Sequence, residues 1–294
     1  MYPGEFTYLR AESVAHALEL LGEYPEAELL AGGHSLLPTM KSGLADPDTV
    51  IDIGRIEAMQ GIEHDDDTTT VGALTTYAEI DDTDELWAGA TALAEAASEI
   101  GDVQVRNRGT IGGNLAHSDP ASDLPAAAIA SDLTLVAEGP GGERRIDADE
   151  FFLGMYMTDL REDELLTRVE VPRANGSAGG AYEKKPSPSS GYALIGVAAR
   201  LHADGGTVES ARVAANGVMD HGVRLTPVEE ALEGQPLNAD SIETAAAEAG
   251  SELDQSMMMD DLQASAEFRA NLLEVYTERA LERAAKRTGA IVSA

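Results

Sequence analysis

Two glycine-rich segments carry the residues whose types and spacing could bind a ligand. Residues 31–38 read Ala-Gly-Gly-His-Ser-Leu-Leu-Pro, and residues 109–117 read Gly-Thr-Ile-Gly-Gly-Asn-Leu-Ala-His. Paired glycines permit positive φ angles and carry no Cβ that would block a ligand. Successive free N–H groups can then bind an anion, and a nearby serine, threonine and asparagine add short hydrogen-bond donors. The pattern indicates an anion or nucleotide site, held by loops through their main-chain amides.

Each segment has a second interpretation. A Gly-Gly pair after a strand is also typical of a tight turn, Asn114 could be a turn residue, and Asp123 could be a helix N-cap. The sequence contains no P-loop, no G-x-G-x-x-G fingerprint, no G-x-S-x-G elbow and no H-E-x-x-H pair. The six histidines lack the spacing of a metal site. We therefore predict no metal site, and we assign no catalytic residue.

Composition excludes several classes of protein. The 294 residues include 20 basic and 53 acidic ones, which gives a formal net charge of −33. Nucleic acid and anionic membranes attract basic surfaces, so neither is an expected partner. There is no cysteine, which excludes disulfides, cysteine-bound zinc and iron–sulfur clusters within this chain. No apolar run is long enough to span a bilayer, and the N-terminus lacks the features of a signal peptide. We expect a cytoplasmic protein without membrane insertion.

The acidity is spread along the chain, which has only four lysines. Such a composition favours a halophilic protein, because the Debye length falls to about 3 Å near 1 M salt and repulsion between surface charges is then screened. The alternative is an acidic protein of ordinary salt conditions.

Hydrophobic periodicity predicts an α/β unit followed by mixed strands and helices. The unit has three strands and a helix that starts after Ser13. A single helix is predicted from Leu86 to Ile100, and a linker from Arg173 to Gly180. The predicted strands are residues 6–9, 28–31, 49–53, 62–64, 69–71, 133–137, 144–146, 165–171, 192–201 and 207–218, and the later helices are residues 227–232, 241–249 and 261–286.

The glycine-rich segments closely resemble the flavin-binding loops of the molybdenum hydroxylase family. The likeness is to the FAD-binding medium subunits of complexes of the carbon monoxide dehydrogenase and xanthine dehydrogenase types. It covers nearly the whole chain and is carried by residues 31–41, 44–56, 108–123, 264–269 and 279–281.

The resemblance implies an α+β fold with two domains. Residues 1–175 would form an FAD-binding domain of the vanillyl-alcohol oxidase or PCMH type, with subdomains of about 1–55 and 56–175. Residues 180–287 would form a smaller α+β domain with a three-stranded sheet and helices.

The resemblance also implies which residues contact FAD. Asp123 matches a position near the ribityl or pyrophosphate region, Leu166 a strand position near the flavin, and Lys184 a lysine near the ring, although Lys185 is an alternative. Tyr192 matches a residue beside the isoalloxazine, or it is a packed strand aromatic. We expect the histidines of the two loops to order them by hydrogen bonds. The full predicted set is Ala31, Gly32, Gly33, His34, Ser35, Leu36, Thr110, Ile111, Gly112, Gly113, Asn114, Asp123, Leu166, Lys184 and Tyr192.

The implied function is electron transfer through FAD, from the iron–sulfur clusters of a partner subunit to an external acceptor. The implied partners are a molybdopterin-binding large subunit and a 2Fe–2S small subunit, in a heterotrimer that we expect to dimerise. One alternative is a stand-alone FAD-dependent oxidase or dehydrogenase on the same fold. Another is an acidic scaffold that has lost the flavin. The substrate (carbon monoxide, a purine, an aldehyde or an aromatic thioester) and the acceptor stay open.

Overall fold

The computed structural model describes residues 2–173 and 178–289, and its first unit is a three-stranded parallel sheet. The strand order is β1-β3-β2, so each crossover between parallel strands contains a helix, as parallel pairing requires. Ser13 caps the first helix, because its side chain accepts the N–H of His16. The elements are β1 (Thr7–Arg10), α1 (Val14–Glu23), β2 (Glu28–Leu30), α2 (Leu36–Ser42) and β3 (Thr49–Asp52).

The second unit is a five-stranded antiparallel sheet with helices packed beside it. The strand order is β4-β5-β10-β6-β7, and β8 and β9 form a separate pair. The strands are β4 (Ile62–His64), β5 (Thr68–Gly72), β6 (Thr134–Gly139), β7 (Gly142–Asp147), β8 (Phe152–Gly154), β9 (Met157–Thr158) and β10 (Leu165–Pro172). The helices are α3 (Tyr77–Asp81), α4 (Asp84–Gly89), α5 (Thr91–Ser98), α6 (Val103–Arg106), α7 (Ile111–His117), α8 (Leu124–Ala130) and α9 (Ala148–Phe151).

The third unit is an antiparallel sheet of order β11-β12-β13-β14, covered by helices. Three strands are long, as expected, and a two-residue strand adds a fourth at the edge. Its elements are β11 (Ala178–Pro186), β12 (Ala193–Asp204), β13 (Thr207–Asn216), β14 (Val223–Arg224), α10 (Thr226–Leu232), α11 (Ala239–Ala246) and α12 (Ala266–Arg287). Along residues 2–173 and 178–289, no helix is long and apolar enough to cross a membrane.

Several sequence predictions about individual elements were wrong. The final helix, predicted from residue 261, begins at Ala266, because the side chain of Ser265 caps it there. The helix predicted from Leu86 to Ile100 is two helices, because Ala90 leaves the helical conformation (φ −141°, ψ 53°). The strand β11 was not predicted, and its first residues had been assigned to the linker. Its Ala-Gly-Gly start lacks a strand pattern, because a Cβ on Gly179 would lie only 2.1 Å from the carbonyl oxygen of Ala284 in α12. Residues 174–177 of the predicted linker lie outside the described residues.

A buried glutamate joins the N-terminal half of the chain to the C-terminal half. Glu95 in α5 is 5% exposed. Its Oε1 accepts hydrogen bonds from Arg283 and Arg287 of α12, each at 2.5 Å, and its Oε2 accepts the N–H of Tyr182 in β11 at 2.8 Å. A buried carboxylate is stable only when it is paired and hydrogen-bonded in this way.

Candidate cofactor site

The two glycine-rich segments are in direct contact. A Cβ on Gly32 would lie 2.1 Å from the carbonyl oxygen of Arg108 and 3.0 Å from the Cα of Gly109. A Cβ on Gly113 would lie 3.5 Å from the Cβ of Ala31. Only glycine permits the first of these approaches. The segments therefore converge, as the binding hypothesis requires.

The first segment lies beyond the carboxyl ends of the parallel strands. It follows β2 directly, and the loop after β3 packs against it, since a Cβ on Gly54 would be 3.1 Å from the carbonyl oxygen of Ala31. Asp52 holds that loop by accepting the N–H of Gly54 at 2.9 Å. Ligands of open α/β sheets bind at this edge.

The first segment presents free main-chain donors. Within the described residues, the N–H groups at positions 32–35 donate to no other group. Gly33 adopts a φ of +75°. The ring Nδ1 of His34 lies 3.1 Å from the carbonyl oxygen of Gly32, which confirms the loop-ordering role expected of this histidine. With Ala31 before it and Leu36 starting α2 after it, this turn has the free amides of an anion-binding cradle.

The second segment is built differently, and the prediction that it is a loop was wrong. Residues 111–117 form α7, which Thr110 caps. The main-chain N–H groups of its first turn already donate within the protein, so this segment supports the first one and offers fewer free amides. The bonds run from Ile111 to Thr75 O (3.0 Å), from Gly112 to Ala73 O (2.8 Å), from Gly113 to Thr110 Oγ1 (3.2 Å) and from Asn114 to Thr110 O (3.0 Å).

The Asn114 side chain ties three elements together. Its Nδ2 donates to the hydroxyl of Tyr77 at 2.9 Å, and its Oδ1 accepts the hydroxyl of Ser122 at 2.7 Å. Burial raises the pKa of Tyr77, so the phenol stays neutral and can accept this bond. Asn114 is therefore neither a turn residue nor a free side-chain donor.

Asp123 and Lys184 form a buried ion pair across the two halves of the chain. Asp123 is 4% exposed, and it accepts hydrogen bonds from Tyr182 at 2.6 Å and from Lys184 at 3.1 Å. Burial raises the pKa of Asp123, and the neighbouring Lys184 opposes that rise. Asp123 occupies the N-cap position of α8 but makes no capping bond through its side chain. It is Lys184, rather than Lys185, that reaches this carboxylate.

Leu166 and Tyr192 have very different surroundings. Leu166 is 4% exposed and belongs to the core of the N-terminal half. Tyr192 is 44% exposed and precedes β12, so it is not a packed strand residue. The next residue, Ala193, donates its N–H to the carbonyl oxygen of Ala121 at 3.1 Å. Tyr192 therefore stands beside the continuation of the second segment.

Two tyrosines near these residues were not among the site residues predicted from the sequence. Tyr156 is 58% exposed; its ring lies 4.9 Å from that of His117 and its N–H donates to the carbonyl oxygen of Ser118 at 3.0 Å. His117 thus makes a ring contact where a loop-ordering hydrogen bond was expected. Tyr182 stands two residues before Lys184 and shares its face of β11, but the sequence did not show this because β11 itself was not predicted. Tyr156 lies in no predicted element, and nothing in the sequence marked it.

Comparison with known proteins decides the family. Residues 4–174 match the FAD binding domain in molybdopterin dehydrogenase. Residues 180–284 match the CO dehydrogenase flavoprotein C-terminal domain. The chain belongs to the FAD-binding medium subunits of the molybdenum hydroxylase family. It is an FAD-binding subunit of an oxidoreductase.

Individual relatives agree over their whole length. The carbon monoxide dehydrogenase medium chain of Hydrogenophaga pseudoflava is 38% identical over 285 residues, covering 97% of this chain and 98% of that one. The glyceraldehyde dehydrogenase medium chain of Sulfolobus acidocaldarius is 34% identical, covering 97% and 100%. A solved structure of carbon monoxide dehydrogenase from Hydrogenophaga pseudoflava has a TM-score of 0.93 at 40% identity, covering 98% and 99%.

Proposed function

We propose that this chain binds FAD where the two glycine-rich segments meet and passes electrons through it, from iron–sulfur clusters of a partner subunit to an external acceptor. The contact of Gly32 with Arg108 and Gly109 carries the proposal, because it brings the free amides of the first segment against the second. The domains would be residues 1–175, with subdomains of about 1–55 and 56–175, and residues 180–287.

The first segment would hold the FAD diphosphate. Its four free N–H groups would together bind the anion, and Gly32 and Gly33 present no side chain to a ligand. The second segment would fix the position of the first and contribute side-chain and van der Waals contacts. Thr110 and Gly113 share the capping bond that keeps the segment in place.

The remaining predicted contacts would lie at the flavin end. Tyr192 is exposed enough to stack on a planar ring. Lys184 would supply positive charge from a fixed position, since Asp123 and the carbonyl oxygen of Glu99 hold its ammonium group at 3.1 and 2.9 Å. Bound FAD supplies the redox chemistry itself, while the protein positions it and sets its electrostatic surroundings.

The proposed partners are a molybdopterin-binding large subunit and a 2Fe–2S small subunit, in a heterotrimer that dimerises. Two observations support this. The relatives are named as medium chains of dehydrogenases, and this chain has no cysteine with which to ligate a cluster. The two relatives are named for different reactions, so no substrate is proposed.

We further propose that the chain works in a cytoplasm of high salt concentration. Its 53 acidic residues outnumber its 20 basic ones. Such an excess destabilises a compact state through self-repulsion unless dissolved ions screen it.

Purification from the native host tests the proposal. We expect tagged chain to carry about one FAD and to bring with it a subunit containing molybdenum and a subunit containing iron and sulfide. After the complex has been reduced and freed of excess dithionite, an electron acceptor should reoxidise the iron–sulfur clusters faster when FAD is bound than when it has been removed. A colourless chain that takes up no FAD would refute the binding site. A yellow chain that elutes alone and oxidises a substrate by itself would instead establish the stand-alone oxidase.

A further inference from the structure

The basic side chains of this protein differ in whether they have a hydrogen-bond or ion-pair partner. Most of the arginines and lysines, all of which lie in the described part of the chain, pair with a carboxylate or donate to a carbonyl oxygen. Arg279 instead lies over the ring of Tyr276 at 4.9 Å. The side chains that make none of these contacts are Arg10, Lys41, Arg55, Arg108 and Lys185.

The backbones of three of these five are connected to the first glycine-rich segment. Arg10 ends β1 and stands in register with Asp52 of β3. Arg55 is in the loop after β3, next to Gly54, whose Cβ position is 3.1 Å from the carbonyl oxygen of Ala31. The carbonyl oxygen of Arg108 lies against Gly32. A continuous run of contacts therefore links the backbones of all three arginines to the cradle.

For two of these arginines, Arg10 and Arg55, the pKa of Tyr8 shows that the guanidinium groups also lie near β3. The hydroxyl of Tyr8 donates to Asp52, and this bond raises the pKa of Tyr8. Arg10 and Arg55 both oppose that rise, so both guanidinium groups lie within electrostatic reach of the same point beside β3. All three arginines are exposed.

The lack of carboxylate partners for these arginines is unusual in so acidic a chain. In a chain of net charge −33, carboxylates are abundant, and nearly every other arginine has found one or a carbonyl oxygen. Guanidinium groups bind phosphate oxygens through paired hydrogen bonds, a geometry that suits a diphosphate. Unpaired arginines around four free amides thus match a ligand with two adjacent negative charges.

We propose that Arg10, Arg55 and Arg108 form a basic rim that binds the diphosphate of FAD together with the amides of residues 32–35. This inference rests on the proposed function and extends it to side chains outside the glycine-rich segments. The amides fix the position of the diphosphate. The rim supplies positive charge at the site, where the acidic surface of the chain would otherwise repel an anionic ligand.

The test uses the full chain, freed of flavin, and FAD as the probe. Arg10→Gln, Arg55→Gln and Arg108→Gln are made singly and together, and Lys286→Gln is the control. Lys286 is a 69% exposed cation of α12 whose carboxylate neighbour is 3.6 Å away. Its replacement removes one positive charge, as each single arginine variant does. The dissociation constant for FAD is measured by equilibrium dialysis across the KCl range in which circular dichroism shows an unchanged fold.

Each single variant should weaken FAD binding about three- to tenfold, between the values for exposed ion pairs and for charged hydrogen bonds. The triple variant should weaken it further and should flatten the dependence of affinity on KCl, because fewer charges remain to be screened. The control should bind as the wild type does.

The opposing results are distinct. Unchanged affinity in the triple variant, an equal loss at every KCl concentration, or the same loss in Lys286→Gln would overturn the rim and leave FAD binding intact. A wild-type chain that binds no FAD would refute the proposed function itself.

Discussion

The contact between the two glycine-rich segments can be tested with a single methyl group. In Gly32→Ala, the new Cβ would start 2.1 Å from the carbonyl oxygen of Arg108, 2.9 Å from its carbonyl carbon and 3.0 Å from the Cα of Gly109. Ordinary van der Waals contact begins at 3.4 Å, so the segments must separate by 3.4 − 2.1, or about 1.3 Å. All three atoms belong to the backbone, and no side chain can rotate away to relieve the clash.

Overpacking of this kind typically costs about 1–3 kcal/mol. We expect Gly32→Ala to lower the free energy of unfolding by that amount. Because the cradle is displaced, FAD should also bind at least about tenfold more weakly, since each 1.4 kcal/mol is a factor of about 10. Denaturant unfolding of the flavin-free chain and equilibrium dialysis with FAD measure the two effects.

Gly22→Ala is the matched control. Gly22 lies in α1, and a Cβ there would meet no atom within 4 Å. Alanine in a helix is favoured over glycine by about 0.5–1 kcal/mol, so this variant should be slightly stabilised and should bind FAD normally. Wild-type affinity for FAD in Gly32→Ala would show that the contact between the two segments does not position the cofactor.

Three further predictions follow from charge. Glu95→Gln should lower the free energy of unfolding by about 3–5 kcal/mol, because two arginines lose a buried partner; a similar loss in the exposed Glu274→Gln would contradict this. Arg144 holds the pKa of Glu164 below its ordinary value of 4.5, so Glu164 stabilises the fold above pH 4.5 and stops doing so as the pH falls through the lowered pKa. The stability difference between wild type and Glu164→Gln should therefore shrink in acid, and a constant difference would refute it. Dialysis into low salt should unfold the chain, as seen by circular dichroism, and an unchanged spectrum would contradict the halophilic proposal.

The sequence singled out two glycine-rich segments, which the structure brings into contact, but it did not distinguish two reasons for glycine. At Gly32 the missing Cβ allows the two segments to meet, as the binding hypothesis assumed. At Gly109 and Gly112 it allows packing against the protein, since a Cβ would lie 2.3 Å from the ring of Tyr77 and 2.4 Å from the Cβ of Ala73. Both kinds of glycine look identical in the sequence. Which applies depends on distant residues, and a single sequence does not reveal their positions.

Dependence on distant residues also explains why neither β11 nor the unpaired arginines were predicted from the sequence. Gly179 is required by the approach of α12, a long-range contact that the local pattern of the strand does not show. Arg10, Arg55 and Arg108 are ordinary letters in the sequence, and they become informative only when the structure shows that the other arginines have partners. His34 was predictable because its bond is to Gly32, two residues away.

Tyr182 explains how the C-terminal domain can influence a site formed largely by the N-terminal one. Its N–H donates to Glu95, which binds two arginines of α12, and its hydroxyl donates to Asp123, which also binds Lys184. One residue of β11 thus belongs to both buried charge clusters. A shift of α12 would be transmitted to Asp123 through a strand that is hydrogen-bonded along its length to β12. The position of Lys184 beside the proposed flavin site therefore depends on the docking of the C-terminal helix, although α12 supplies no residue to the glycine-rich segments.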